Sequence, residues 1–72
     1  MNAKGIFNSG LVKDLKHVRT ITGATLEAHN IKKVEEAQEF YSQEWGMNFW
    51  AVKIGGEWQQ ATGFESQLLN RI

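Results

Sequence analysis

Residues 26–54 read LEAHNIKKVEEAQEFYSQEWGMNFWAVKI, and this stretch decides the predicted fold. The segment Ile31 to Trp45 contains neither glycine nor proline, and it is rich in the lysine, glutamate, glutamine and alanine residues that favour an α-helix. At about 100° per residue, one arc of that helix collects most of the apolar side chains. These are Ile31, Val34, Tyr41 and Trp45, with Ala37 at the edge of the arc. The segment therefore predicts an amphipathic helix that packs on the rest of the domain.

Both ends of this segment carry residues suited to helix termini. Asn30 is a good N-cap, and Gly46 favours the left-handed conformation that ends many helices. Phe40 falls opposite the apolar arc, so we expect it on the exposed side of the helix. Lys32 and Lys33 oppose the helix dipole in the first turn, which indicates that these charges are placed for something other than helix stability.

Upstream of the helix, the pattern predicts two paired strands. Leu11, Leu15 and Val18 have helical spacing, whereas the segment after Lys16 alternates like a strand, and we favour a strand from about Leu15 to Thr22. Gly23-Ala24 is typical of a type II′ turn into a second strand over residues 26–28. A helix between that second strand and a later one implies a right-handed crossover, with the two strands parallel if they are neighbours.

Downstream, residues 48–62 contain two further strands rich in aromatic and β-branched side chains, joined by Gly55-Gly56. This is a strong hairpin signal. Two registers are open: a two-residue loop sets Trp58 opposite Lys53, whereas a three-residue loop with a bulge sets it opposite Ile54.

The last apolar residues, Phe64, Leu68, Leu69 and Ile72, have helical spacing and predict a short C-terminal helix. The predicted fold class is α+β, with the order β-β-α-β-β and one helix on a four-stranded sheet. Residues 1–72 are expected to form a single domain, in which residues 1–10 are a flexible arm or a short edge strand.

Composition excludes several classes of protein. The 72 residues include no cysteine, so neither disulfides nor thiolate metal sites are available. A hydrophobic fraction of 42% with 22% charged residues is typical of a globular domain. No apolar run approaches the ~18 residues of a membrane span, and no signal peptide is recognisable, so we expect a cytoplasmic protein without membrane contact.

The net charge is zero, but the charges are unevenly distributed. Residues 1–33 hold six basic and two acidic side chains, whereas residues 34–72 hold two basic and six acidic ones. This split favours oriented docking onto a charged partner. A balanced total argues against nonspecific binding to nucleic acid.

Nothing in the sequence has the pattern of a catalytic centre, a cofactor site or a metal site. His17 and His29 point to opposite faces of the predicted hairpin and cannot share a metal ion without a different strand register. The serines lack a nucleophile-elbow context. Three carboxylates fall on the solvent side of the predicted helix, where a pKa suited to acid–base catalysis is hard to create. They are Glu35, Glu36 and Glu39.

The run Gly23 to Ile31, followed by Val34, Ala37 and the strand over residues 49–54, resembles the strand-helix-strand module of small phage-encoded host-takeover proteins. Some anti-CRISPR proteins and phage inhibitors of RNA polymerase have this layout. The resemblance implies action without catalysis, by occupying a surface that a nucleic acid or another subunit needs.

The leading hypothesis is a noncatalytic inhibitor that binds a host protein complex, such as a CRISPR effector or a polymerase. A small nucleic-acid-binding regulator and a dimeric structural accessory protein are the alternatives. At least one of Phe40, Phe49, Trp50 and Trp58 is expected to be exposed at an interface. The predicted partner-binding residues are Lys13, Lys16, Arg19, Lys32, Lys33 and Phe40.

Overall fold

The computed structural model describes residues 3–7 and 12–72. In this part of the chain, four strands form one antiparallel sheet in the order β1-β2-β3-β4, accompanied by two α-helices. The elements are a 3₁₀ helix (Ala3–Phe7), β1 (Leu15–Thr22), α1 (Gly23–Ala28), β2 (Glu36–Ser42), β3 (Met47–Ile54), β4 (Glu57–Gln60) and α2 (Gly63–Leu69). The predicted α+β class is confirmed, and the order of elements is approximately the predicted one.

The helix predicted over residues 31–45 is wrong, because its second half is the inner strand β2. Between β1 and β3, β2 forms backbone hydrogen bonds on both sides and buries side chains on both faces. This tertiary gain outweighs a local helix preference of a few tenths of a kcal/mol per residue. Gly46 does adopt the expected left-handed conformation, at φ 62°, but within the turn from β2 to β3.

The turn predicted at Gly23-Ala24 and the strand predicted over residues 26–28 are also wrong. Gly23–Ala28 form α1, which begins after Thr22 and is built mainly from good helix formers. Asn30, predicted as an N-cap, follows this helix with φ 63°. A parallel crossover is therefore absent from the described part of the chain, where each pair of neighbouring strands is antiparallel.

The hairpin between β3 and β4 is confirmed, with the shorter of the two open loops. Trp58 lies opposite Lys53, and the turn consists of Gly55 and Gly56. Both glycines have positive φ, at 60° and 81°, as a type I′ turn requires at its two central residues.

The front face of the sheet, which we define as the face beneath α1 and α2, holds the larger apolar cluster. Its buried members are Ile21, Leu26, Val34, Ala37, Trp50, Val52 and Leu69. The predicted C-terminal helix is confirmed as α2, which begins with a capping box: Thr62 Oγ accepts from the Glu65 N–H, and the Glu65 carboxylate accepts from the Thr62 N–H. At its other end, the Trp50 indole N–H donates to Asn70 Oδ1 over 2.7 Å.

The reverse face of the sheet lies beneath the 3₁₀ helix. Its buried cluster comprises Ala3, Phe7, Leu15, Phe40 and Ala51. The Phe7 ring meets those of Phe40 and Phe49 edge to face, at centroid distances of 5.9 and 5.7 Å. Residues 3–7 thus differ from the flexible arm or edge strand expected there, and the other residues of that arm lie outside the described ranges.

Candidate partner-binding surface

At the end of the sheet where β1 begins, the helices do not cover the front face. Lys16 lies opposite Tyr41, which lies opposite Asn48, and all three side chains are exposed. Tyr41 is 40% exposed, which is high for an aromatic residue in an inner strand. Arg19 belongs to the next row of the same face. We call Lys16, Arg19, Tyr41 and Asn48 the open patch.

Arg19 is held in place from three directions. Its Nε donates to Glu39 Oε1 over 2.8 Å, and its Nη1 donates to the backbone carbonyl of Ile72 over 2.8 Å. The guanidinium lies 5.2 Å from the centroid of the Trp50 ring, within the range of a cation–π contact. The Arg19 side chain nevertheless remains 38% exposed, so the open patch includes a fixed cation.

Glu39 is buried, with 5% of its surface exposed, although the sequence predicted it on the solvent side of a helix. Burial of an unpaired carboxylate would be costly, and here Arg19 provides the opposite charge. The Asn48 side-chain amide also donates to Glu39. The buried charge therefore ties one member of the open patch, Asn48, to another, Arg19.

A hydrogen-bond network organises the turn from β2 to β3. The Ser42 hydroxyl donates to Asp14 Oδ1 over 2.6 Å, and the backbone N–H of Glu44 donates to Asp14 Oδ2 over 2.8 Å. The backbone N–H of Trp45 donates to Ser42 Oγ over 3.1 Å. The hydroxyl of Ser42 and then the N–H of Glu44 hold the pKa of Asp14 below its ordinary value, because both donate to the charged form.

The structure brings together only part of the predicted basic surface. Lys13 and Lys16 are exposed near the start of β1. Lys32 and Lys33 are exposed in the connection between α1 and β2, and Lys32 lines a depression with Gly23 near the other end of the sheet. Because β1 is eight residues long, the two groups are separated by roughly 20 Å of strand.

Phe40 is not available for binding, contrary to the prediction. It is 2% exposed and packs in the reverse-face cluster, because strand alternation turns it away from Tyr41. The expectation of an exposed residue among four aromatics is also wrong: Phe40 and Trp50 are buried, and Phe49 and Trp58 are partly buried. The large exposed apolar residues are Val18, Tyr41, Trp45, Met47 and Phe64.

Sequence reasoning missed Tyr41 and Asn48, and a signal for Tyr41 was present. In a strand, which has a period of two residues, Phe40 and Tyr41 point to opposite faces of the sheet. In a helix, the same residues would place Tyr41 on the buried arc and Phe40 on the exposed side. Choosing the helical period therefore reversed the predicted exposure of both residues.

Residues 3–7 and 12–72 contain neither a candidate metal site nor a helix that could span a membrane. No group of three or more histidine, aspartate or glutamate side chains there has the arrangement of a metal site. No helix in these ranges is long and apolar enough to cross a membrane. His17 lies in β1, where its Nε2 shares a 2.8 Å hydrogen bond with Thr20 Oγ1, and His29 follows α1.

Comparison of the chain with protein-family models, with curated proteins and with solved structures found no significant match.

Proposed function

We propose that this chain is a noncatalytic protein-interaction module that binds an acidic surface of a host protein complex and blocks it. The observation that carries the proposal is the open patch, where an exposed tyrosine lies opposite Lys16 and one row from the restrained Arg19. A cytoplasmic CRISPR effector or polymerase is the class of target we propose. The phage or mobile-element origin rests on the sequence resemblance, whose strand-helix-strand layout differs from the observed elements.

The chemistry of the open patch suits a protein interface. Tyrosine and arginine are the residues that often carry most of the binding energy, because each combines a large contact area with hydrogen-bonding groups. Tyr41 stands on an inner strand, and Arg19 is held by Glu39 and Ile72, so little side-chain entropy is lost on binding. Lys16 adds long-range attraction to an acidic partner.

The test uses affinity capture from host lysate with purified variants of the folded chain. We expect a protein that is captured by the wild type after nuclease treatment to be lost with K16E/Y41A. F64A is the matched control, since Phe64 is 71% exposed and lies on α2. Circular dichroism of each variant verifies the fold.

The variant K32E/K33E distinguishes the open patch from the binding surface predicted from the sequence. That prediction includes Lys32 and Lys33 among the partner-binding residues. Loss of capture with K16E/Y41A alone supports the open patch. Loss with K32E/K33E alone moves the site to the other end of the sheet and contradicts the proposal.

A nucleic-acid-binding regulator is the second candidate, because an exposed ring beside two cations also suits base stacking with phosphate contacts. Binding of a labelled single-stranded oligonucleotide at several salt concentrations distinguishes the two. Phosphate binding by Lys16 and Arg19 predicts a log–log salt slope of about −0.7 per contact. Capture that disappears with nuclease, together with such a slope, favours the regulator.

A further inference from the structure

The sheet has two outer edges, and they differ in length and in cover. The β4 edge is four residues long and is contacted by the 3₁₀ helix, whereas the β1 edge is eight residues long. Within the described ranges, β1 pairs with β2 on one side only, and no backbone hydrogen bond joins residues 15–21 to any other segment. A long open edge offers unpaired N–H and C=O groups to a further strand.

A bulge in β1 brings two cations to the same face of this edge. Val18 is the extra residue of the bulge. Lys16 lies opposite Tyr41 in β2, and Arg19 lies opposite Glu39, two positions away in the same strand. Lys16 and Arg19 therefore share the front face, whereas residues three apart in a regular strand point to opposite faces.

The charges of this edge select its occupant. Lys16 and Arg19 are the charged residues of β1, which contains no carboxylate. Asp14, just before the strand, already accepts hydrogen bonds in the turn from β2 to β3. A second copy paired through its own β1 would bring like charges together, which is unfavourable. A segment with acidic side chains meets the same edge with favourable charge.

We propose that the outer edge of β1 receives an extended acidic segment of a partner protein, which joins the sheet as a fifth strand. The backbone of β1 supplies the hydrogen bonds. Carboxylates at alternate positions of the segment lie beside Lys16 and Arg19, because every second side chain of a strand shares a face. This mode of binding rests on the proposed function, since both cations also belong to the open patch.

The edge is ordered before binding. Arg19 is held by Glu39 and by the carbonyl of Ile72, and β1 is already paired with β2. Little conformational entropy is therefore lost by this chain when a strand is added. Val18, which is 51% exposed, contributes apolar surface at the same edge for the added segment to cover.

The experiment is amide hydrogen exchange, measured by NMR on the purified full chain with a synthetic peptide. The peptide has about ten residues, in which glutamate alternates with valine or threonine. We expect rapidly exchanging amides of β1 to gain protection, whereas those of β4, the control edge, stay unchanged. A peptide with an N-methylated backbone keeps the carboxylates but should protect no β1 amide, because its methyl groups prevent two backbones from pairing.

Charge is tested separately. A peptide with lysine at each glutamate position should bind more weakly than the glutamate peptide. K16E should weaken binding of the glutamate peptide about threefold or more, because an attraction becomes a repulsion. K33E is the matched control, since it changes the net charge equally at an exposed position outside the sheet. Equal weakening by K16E and K33E overturns the proposal, and so does protection of β1 by the N-methylated peptide.

Failure of strand addition can be distinguished from failure of the proposed function. If K16E/Y41A abolishes capture from lysate but the glutamate peptide protects no β1 amide, the partner binds the open patch without adding a strand. Capture that survives K16E/Y41A contradicts the proposed function itself. If β1 amides gain protection when the free chain is concentrated without peptide, the occupant is a second copy, which also overturns the proposal.

Discussion

The two faces of the sheet are covered by elements of different size, and this difference decides how completely each face is buried. On the front face, α1, α2 and the segment between α1 and β2 surround Leu26, Val52 and Leu69, which are at most 1% exposed. On the reverse face, a 3₁₀ helix of five residues helps to bury Phe40 but leaves a groove beside Met47. A short chain has too few residues to bury both faces fully.

The largest effect is expected on the front face, from Leu26→Ala. Leu26 belongs to α1 and is fully buried against the front face, so its truncation leaves a cavity and should cost about 2–5 kcal/mol of unfolding free energy. Urea denaturation measures the change. Phe64→Ala, at a 71% exposed position, is the control and should stay within about 0.5 kcal/mol of the wild type. Equal stability of both variants would show that α1 does not cover the front face.

A smaller loss is expected on the reverse face, from Phe7→Ala. This change removes a buried ring and two edge-to-face contacts, at a cost of about 2–3 kcal/mol. The loss of unfolding free energy should lie near the lower end of this range, because the adjoining groove opens to solvent and no sealed cavity forms. The measurement is again urea denaturation. A negligible effect would mean that the 3₁₀ helix does not contribute to the reverse-face core.

The boundary between the covered and uncovered parts of the front face is tested by Arg19→Met. The substitution leaves the buried Glu39 without its cation, and we expect a loss of about 1–2 kcal/mol, limited by the partial exposure of Arg19. R19M/E39Q should recover part of the loss, because the buried charge is then absent. A double-mutant cycle by thermal denaturation checks this, and strictly additive losses would contradict coupling between the two side chains.

The smallest effect concerns the turn beside the groove, and it depends on pH. The pKa of Asp14 is lowered in the folded state, so the group stabilises the fold above its unfolded pKa, and the contribution is lost as the pH falls through the folded pKa. Asp14→Asn should therefore lower the Tm at pH 7, and the Tm values of the variant and the wild type should converge as the pH falls through the folded pKa of Asp14. A constant difference in Tm from pH 7 to pH 2 would contradict this assignment.

Much of the sheet was predictable because its signals are local. A strand from about Leu15 to Thr22 was favoured over a helical alternative for residues 11–18, and β1 spans Leu15–Thr22. The hairpin from β3 to β4 follows from two glycines between strand-forming runs. The short C-terminal helix also follows from apolar spacing, and the capping box Thr62 to Glu65 was a further signal for it. Each of these features depends on residues within a few positions of one another.

The candidate site was only partly predictable. Lys16 and Arg19 lie in the open patch as expected of basic residues on the first strand, whereas Lys32 and Lys33 lie toward the other end of the sheet. Tyr41 was missed because its exposure depends on the type of element that contains it. Once β2 is recognised as a strand, alternation alone exposes Tyr41 and buries Phe40.

The sequence by itself determined the α+β class, the strand β1, the final hairpin and the C-terminal helix, because propensity, turn residues and apolar spacing agree there. Only the tertiary structure decided that residues 36–42 are a strand. Their composition favours a helix, but hydrogen bonds to β1 and β3, and the pairing of Glu39 with Arg19 twenty residues away, stabilise a strand between two others. Such contacts are distant in sequence and cannot be recognised from local preferences.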